Sequence, residues 1–432
     1  MTSFLLGATV VLLPVIVPHG VGNTALADAF ALGFIALTLV ALAQRHRSLE
    51  VPAPLALTLI LFGSLIALAL SADFHTGALT LLIDLYLVLL LVAVVNHLGG
   101  DQRALRTVLV VWTAAALVWS ATVIVEYLHV LPRPLASLLQ ASPRAIRFGG
   151  PAGNLTNLAA SYLVTSFFVL LASPWPRRRP LRALAGGWLL FGVFATGSIA
   201  GLVGMATGGA FLAVAAYLRS GRTPRQVQGL AGAGLLGVSL LLVWLLLAAG
   251  VPRVGTADVQ TLSERAKNGT LAAASVGRAN RSLAGRLTLW SSAFALTGPR
   301  ALVGVGPGEA KEQLLISSGT LSRKGTLKVH SMHNDYLGFL VERGILGLAG
   351  LLALYVALGR RALRLAAASG RAGIGMAALG AALFANAADS LFHETFHYRH
   401  AIMLFALLWV AAGLAAAEAR TTEDVHAATP AA

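Results

Sequence analysis

The sequence predicts an all-α, polytopic membrane protein with about twelve transmembrane helices and one large external loop. Of its 432 residues 57% are hydrophobic and only 11% are charged, whereas soluble domains carry about 25% charged residues. The mean hydropathy is +0.78. The apolar residues are gathered in runs close to the ~20 residues that cross a bilayer as a helix. Together these observations disfavour a soluble globular enzyme and a disordered chain.

Twelve apolar runs are the predicted helices. The first run resembles a signal peptide with Ala25-Leu26-Ala27 as a possible cleavage site, but no basic residues precede it, so we expect it to remain as a span. Small residues, as in Gly204 to Gly208, predict close helix packing. The predicted spans cover residues 3–18, 25–43, 55–70, 77–95, 107–125, 155–173, 183–197, 199–218, 229–250, 334–358, 372–390 and 400–417.

The basic residues predict the orientation of these helices. The formal net charge is +15, but the Lys and Arg residues lie in connections between apolar runs, which is typical of membrane topology and not of a nucleic-acid-binding face. Sixteen of the 32 fall in alternate connections, while the short loops 18–24 and 71–76 carry none. The positive-inside rule then places both termini in the cytoplasm. Residues 1–432 form one integral membrane domain, with residues 251–333 as a periplasmic loop between spans nine and ten.

The external connections are rich in arginine. Residues 251–333 hold eleven Lys and Arg, among them Arg265 and Arg286, and the connection 126–154 holds Arg147. Two interpretations stay open at this point. The residues belong to a solvated loop that contacts lipid headgroups, or they form a site for an anionic ligand such as a diphosphate, which arginine binds through paired hydrogen bonds.

A polar cluster stands at the start of the tenth predicted span. It comprises His330, His333, Asn334 and Asp335, with Glu342 further along the helix. Ionisable groups at the edge of a membrane helix are candidates for function, and histidine suits proton transfer near neutral pH. The alternative is an N-terminal helix cap with interfacial polar residues.

Two further signals point to other chemistry. His393-Glu394-x-x-His397 matches a zinc metalloprotease pattern, but no third carboxylate ligand follows closely, although His400 could serve. The alternative is a polar turn that contacts the main loop or a bound acceptor. Asp84 lies inside the fourth predicted span, where an unpaired acid is costly. A proton-coupled transporter would use such a residue.

Several short motifs stand out between residues 148 and 390. They are Phe148-Gly149-Gly150-x-x-Gly153-Asn154, Arg286-x-x-x-Trp290, Gly304-Val305-Gly306-x-Gly308, His330-x-x-His333-Asn334-Asp335-Tyr336-Leu337, Glu342-x-Gly344-x-x-Gly347 and Asn386-x-x-Asp389-Ser390. Together these motifs resemble the O-antigen ligase/polymerase superfamily. The resemblance implies a glycosyltransferase that needs no metal or other cofactor and acts at the periplasmic face of the bacterial inner membrane. Its donor would be a glycan on undecaprenyl diphosphate and its acceptor the lipid A-core.

The resemblance also suggests roles for individual residues. The family's histidine falls on His333 and its essential loop arginine on Arg286, which we take as the catalytic pair. The family often has an arginine where this chain has Ile199, so Arg147 or Arg265 would fill that role. The candidates for substrate binding are Arg265, Arg147, His330, Asn334 and Glu342.

Direct attack on the donor predicts inversion at the anomeric carbon. An O-antigen or exopolysaccharide polymerase, with the same donor, remains the alternative to the ligase. A transporter of the lipid-linked glycan and a membrane zinc protease are further alternatives. The expected partners are the donor, the acceptor and membrane lipids, without nucleic acid, and the sequence carries no signal for an oligomeric state.

Overall fold

A computed structural model describes most of the chain. It covers residues 1–16, 25–46, 48–128, 149–152, 155–219, 286, 289–291, 293–295, 297–310, 332–366 and 370–428. The ninth predicted span, 229–250, and most of the loop 251–333 lie outside these residues. All regular secondary structure in the described residues is helical, which confirms the predicted all-α class for this part of the chain.

Eleven α-helices in the described part of the chain correspond to eleven of the predicted spans. Short 3-10 turns at Gly150–Ala152 and Gly298–Arg300 accompany them. The helices are α1 (Thr2–Val11), α2 (Leu26–Gln44), α3 (Pro54–Ala69), α4 (Phe74–Leu98), α5 (Gln102–Tyr127), α6 (Thr156–Ala172), α7 (Arg179–Ala195), α8 (Ile199–Arg219), α9 (Asp335–Ala366), α10 (Gly370–Asp389) and α11 (Arg399–Ala428).

Six of these helices are long and apolar enough to cross a membrane, namely α2, α4, α5, α8, α9 and α11. The apolar helices α1, α3 and α6 are shorter, as is the apolar part of α10, Gly373–Asp389. This composition confirms an integral membrane protein, while the count of twelve spans and the side of the membrane stay predictions.

The first helix is shorter than predicted. It ends at Val11, whereas the apolar run continues to residue 18. Pro14 follows the helix, and a proline cannot donate the next intrahelical hydrogen bond. A helix of 10 residues covers about 15 Å, which is half of the hydrocarbon core. Hydropathy alone therefore overestimated this helix.

Small residues bring the helices around the site together. A Cβ atom on Gly63 of α3 would lie 2.8 Å from the backbone nitrogen of Gly347 in α9. A Cβ atom on Gly208 of α8 would lie 2.8 Å from the carbonyl oxygen of Ala381 in α10. These approaches leave no room for larger side chains, which confirms the predicted role of Gly208 in close packing.

Several connections between helices meet at one end of the bundle. The charge pattern predicts that these connections lie outside the membrane, and we call this end of the bundle the site end. The buried Glu309 accepts hydrogen bonds from the Ser71 hydroxyl and from the backbone of Ala72 and Asp73, so it ties the α3–α4 turn to the segment before α9. The turn between α10 and α11 contacts the start of α9 there, because Asp335 donates its backbone N–H to the Ser390 carbonyl at 2.9 Å. This clustering agrees with the predicted alternation of the helices.

Candidate functional site

Helix α9 is broken near its start, and the glycine-rich segment 301–306 lies against the break. Gly344 has a φ of 66° inside the helix, and a Cβ atom there would lie 2.3 Å from the Leu302 carbonyl oxygen. The Val305 N–H donates to the Val341 carbonyl at 2.8 Å, and the Ile345 N–H donates to the Ala301 carbonyl at 2.9 Å. Segment 301–306 thereby replaces helical hydrogen bonds that the break in α9 removes. Position 344 needs glycine because this segment lies so close to it.

Below the break, Asp84 and Arg343 form a buried ion pair. The guanidinium of Arg343, 1% exposed, donates from Nη2 to the Asp84 carboxylate at 2.8 Å, and Asp84 is fully buried. His397 Nε2 lies 3.0 Å from the other oxygen of Asp84, and Arg343 Nη1 donates to Glu342 at 2.9 Å. The acid inside the fourth predicted span is therefore compensated, as a charge at that depth must be. Glu342, a predicted substrate contact, is 17% exposed in its side chain and pairs with Arg343.

Asp335 fixes the turn between α10 and α11 to the start of α9. Its buried carboxylate accepts from the backbone N–H groups of Thr395 at 2.7 Å and Phe396 at 2.8 Å, and from the Thr395 hydroxyl at 3.0 Å. Next to it, the Asn334 side-chain oxygen accepts from the Leu337 N–H at 3.0 Å. Asn334 thus caps α9, as in the capping interpretation, and its role in substrate binding stays a prediction.

The two predicted catalytic residues converge on His393. Arg286 Nη2 lies 3.5 Å from His393 Nε2, and the rings of His333 and His393 meet edge to face with centroids 6.3 Å apart. On its other side, His393 Nδ1 lies 2.9 Å from the Asp389 carboxylate. The Arg286 guanidinium also lies over the Phe392 ring, 5.9 Å from its centroid. We call Arg286, His333, Asp389 and His393 the His393 cluster.

Backbone geometry adds a second observation about His333. Its φ is 51°, a left-handed conformation that is uncommon for residues other than glycine. Such strain persists only where the surrounding structure enforces it, and it is concentrated at functional sites. The neighbouring Met332 is held on both sides, because its N–H donates to Glu394 at 2.8 Å and its carbonyl accepts from the Trp290 indole at 3.3 Å. These contacts fix the position of His333.

The zinc interpretation of His393-Glu394-x-x-His397 does not fit this geometry. The pattern requires both histidines on one helical face, but residues 390–398 form turns. His393 contacts Asp389 and Arg286, while His397 contacts Asp84. Within the described ranges, no group of three or more His, Cys, Asp or Glu residues could hold a metal ion. The structure instead agrees with a polar turn that contacts the main loop.

The environment changes the acidity of three groups at the site end. Burial, with the charges of Glu342 and Asp335, raises the pKa of Glu394 to about 7. Burial lowers the pKa of His397, but the hydrogen bond to Asp84 and the charges of Asp84 and Asp335 together outweigh burial and raise the pKa above its ordinary value. Burial lowers the pKa of Arg286, and the charge of Asp389 opposes that change. The site end therefore holds an acid that gains or loses its proton near neutral pH.

Glu394 is expected to make the protein less stable as the pH rises. Its pKa of about 7 in the folded protein exceeds the ~4.3 of an unfolded chain. The folded state therefore binds more protons between these values, and stability decreases with pH across this range. The raised pKa of His397 acts in the same direction. We expect the Tm in detergent to fall between about pH 5 and pH 8 and Glu394→Gln to flatten this decrease. Equal slopes for the variant and the wild type would contradict this expectation.

Not every predicted site residue lies in the described part of the chain. His333, Arg286, Asn334 and Glu342 lie together at the site end, while Arg265, Arg147 and His330 lie outside the described residues. Sequence reasoning gave no role to Arg343, named Asp389 only as part of a motif, and considered His393 and Glu394 only for zinc or as a polar turn. The residues 386–397 did carry signals, but the spacing of the histidines pointed to zinc and not to contacts with Arg286.

Comparison with known proteins agrees with the motifs at the site end. Residues 184–352 match a protein-family model described as O-antigen ligase. The match extends from α7 into α9 and contains Arg286, His333 and Glu342. No curated protein matches the chain. The family match confirms the resemblance of this integral membrane protein to the O-antigen ligase/polymerase superfamily, which the sequence motifs carry.

Proposed function

We propose that the protein transfers a preassembled O-antigen glycan from undecaprenyl diphosphate to the lipid A-core at the periplasmic face of the inner membrane. The observation that carries this proposal is the convergence of Arg286 and His333 on His393 at the site end. This convergence supports a site in which Arg286 binds the diphosphate and His333 accepts a proton, and the O-antigen ligase match covers both residues.

In this proposal His333 acts on the acceptor. An acceptor hydroxyl gives its proton to the imidazole while its oxygen attacks the anomeric carbon of the donor. General base catalysis of this kind contributes about 10²- to 10⁴-fold. The new glycosidic bond forms as the bond to the diphosphate oxygen breaks, and the electron pair leaves with the undecaprenyl diphosphate. Attack from the face opposite the leaving group inverts the anomeric configuration, so a retained configuration in the product would contradict direct attack.

Arg286 acts on the leaving group. Negative charge develops on the diphosphate as its bond to the anomeric carbon breaks, and a guanidinium held nearby stabilises this charge. Its planar set of N–H donors matches phosphate oxygens better than a lysine does. Arg265 and Arg147 would add positive charge in place of the arginine that the family often has at the position of Ile199.

Replacing Arg286 by glutamine is expected to lower kcat by about 10²- to 10³-fold, the usual effect of losing one donor to a developing charge. Arg300, an exposed arginine of the same external segment, offers a matched control, and Arg300→Gln should stay within about twofold of wild type. The measurement is the transfer rate with saturating donor. An equal loss of kcat in both variants would show that transfer depends on the total positive charge of the segment and not on the position of Arg286.

The identity of the acceptor distinguishes a ligase from a polymerase, and a transfer assay can test it. Purified protein is incubated with lipid-linked glycan alone and with added lipid A-core, and the products are separated by mass. The proposal predicts a glycan-bearing lipid A-core only when that acceptor is present. Chain growth from the donor alone would instead identify a polymerase. No product of either kind from folded protein would contradict glycan transfer and favour transport of the lipid-linked glycan.

A further inference from the structure

His393 lies between Arg286 and His333, the two proposed catalytic residues, although it lies outside the residues that match the family model. It belongs to the turn after α10, far along the chain from Arg286. Its side chain is buried, and it contacts Arg286 through Nε2 and the His333 ring through an edge-to-face arrangement. The turn therefore supplies a shared support for two residues on other segments.

The hydrogen-bond partners of His393 select one form of its ring. The Asp389 carboxylate can only accept, so Nδ1 carries the hydrogen in the 2.9 Å contact. An arginine can only donate, so Nε2 presents its lone pair to Arg286. Both contacts are satisfied together by the neutral ring with hydrogen on Nδ1. A ring with hydrogen on Nε2 would direct an N–H at the guanidinium and lose that contact.

Arg286 depends on this contact for its orientation. Its Nε is buried and makes no hydrogen bond within the described part of the structure. Its described contacts are the hydrogen bond to His393 and the face of the Phe392 ring. An arginine has five N–H donors, and one of them suffices to anchor the guanidinium to His393. The remaining donors are then available for diphosphate oxygens.

We propose that His393 is a positioning residue for glycan transfer. It holds the Arg286 guanidinium through its neutral Nε2 and supports the His333 ring by edge-to-face packing, while Asp389 fixes its tautomer. This inference rests on the proposed function, because it assigns His393 to the same site. It also gives a physical role to the first histidine of the pattern at residues 393–397, without a metal.

Amide substitutions separate the two hydrogen bonds of His393. The amide of His393→Gln reaches the place of Nε2 and can still accept from Arg286, whereas the amide of His393→Asn reaches only the place of Nδ1. We expect His393→Asn and His393→Ala to lower kcat by about 10- to 100-fold, since small misplacements of a charge-stabilising group have effects of this size. We expect His393→Gln to retain most of the activity. A glutamine variant as impaired as the asparagine variant would overturn the proposal.

A double-mutant cycle distinguishes positioning from a general structural role. In the Arg286→Gln background, His393→Ala should reduce kcat by a smaller factor than it does in the wild type, because the guanidinium that it orients is already absent and only its packing against His333 remains to be lost. An equal fold-loss in both backgrounds would overturn the inference. The Tm of each variant in detergent shows whether the protein is folded.

The tautomer gives a readout that does not depend on glycan transfer. The ¹⁵N spectrum of histidine-labelled protein, with the His393 signals assigned by their loss in His393→Gln, should show hydrogen on Nδ1 and a bare Nε2. Hydrogen on Nε2 would overturn the inference even in an active enzyme. A wild-type protein that shows the expected tautomer but transfers no glycan would instead contradict the proposed function.

Discussion

Replacing His333 by alanine is expected to slow glycan transfer by about 10²- to 10⁴-fold, the usual contribution of a general base. The loss should appear in kcat, because the diphosphate contacts of Arg286 do not depend on the imidazole. His333→Asn should be equally slow. Asparagine tolerates the left-handed backbone that His333 adopts, so this variant removes the base without adding strain. Transfer rates with saturating donor and acceptor provide the measurement.

His75 offers the matched control for this substitution. It is an exposed histidine at the start of α4, on the same end of the bundle but outside the His393 cluster. His75→Ala should keep the wild-type rate within about twofold, as surface substitutions usually do. If His333→Asn retained the wild-type rate, another group would have to accept the proton.

Replacing Asp84 by asparagine is expected to destabilise the protein by about 3–5 kcal/mol, because it removes one partner of a buried ion pair. Arg343 would then stay buried with its charge compensated only in part, by Glu342. His397 would also lose its charged partner on α4. Unfolding of the detergent-solubilised protein, followed by helical circular dichroism, measures this effect.

Two further variants test the explanation for Asp84. Asp101 caps the start of α5, and asparagine caps a helix as well as aspartate does, so Asp101→Asn should change stability by less than about 0.5 kcal/mol. Replacing Asp84 and Arg343 together by leucine should recover much of the stability, since neither member of the ion pair is then left buried without its partner. A double variant as unstable as Asp84→Asn would show that packing, and not charge, dominates.

The helices could be predicted because their signal is local. Apolar runs of sufficient length define membrane helices whatever the rest of the chain does. The first helix shows the limit of this reasoning, because Pro14 ends the regular structure at Val11 while the apolar run continues. The break of α9 at Gly344 could not be predicted from the local sequence either, since the break depends on the packing of segment 301–306 against α9.

The partners of the site residues could not be predicted, because they come from distant parts of the chain. The resemblance indicated His333 and Arg286, and both lie at the site end. The sequence showed Asp84 as a lone acid and Arg343 as a lone base, and only the packing of α4 against α9 brings them together. The spacing of His393 and His397 suggested a zinc helix, but the turn directs the two rings to different partners.

Single-turnover transfer by the purified wild-type protein tests the central claim most directly. Glycan labelled on undecaprenyl diphosphate is supplied with lipid A-core and excess EDTA, and both products are quantified over time. The account predicts that labelled lipid A-core and free undecaprenyl diphosphate appear in equal amounts, and that both are suppressed in His333→Asn. Folded wild-type protein that binds the donor but forms neither product would contradict it.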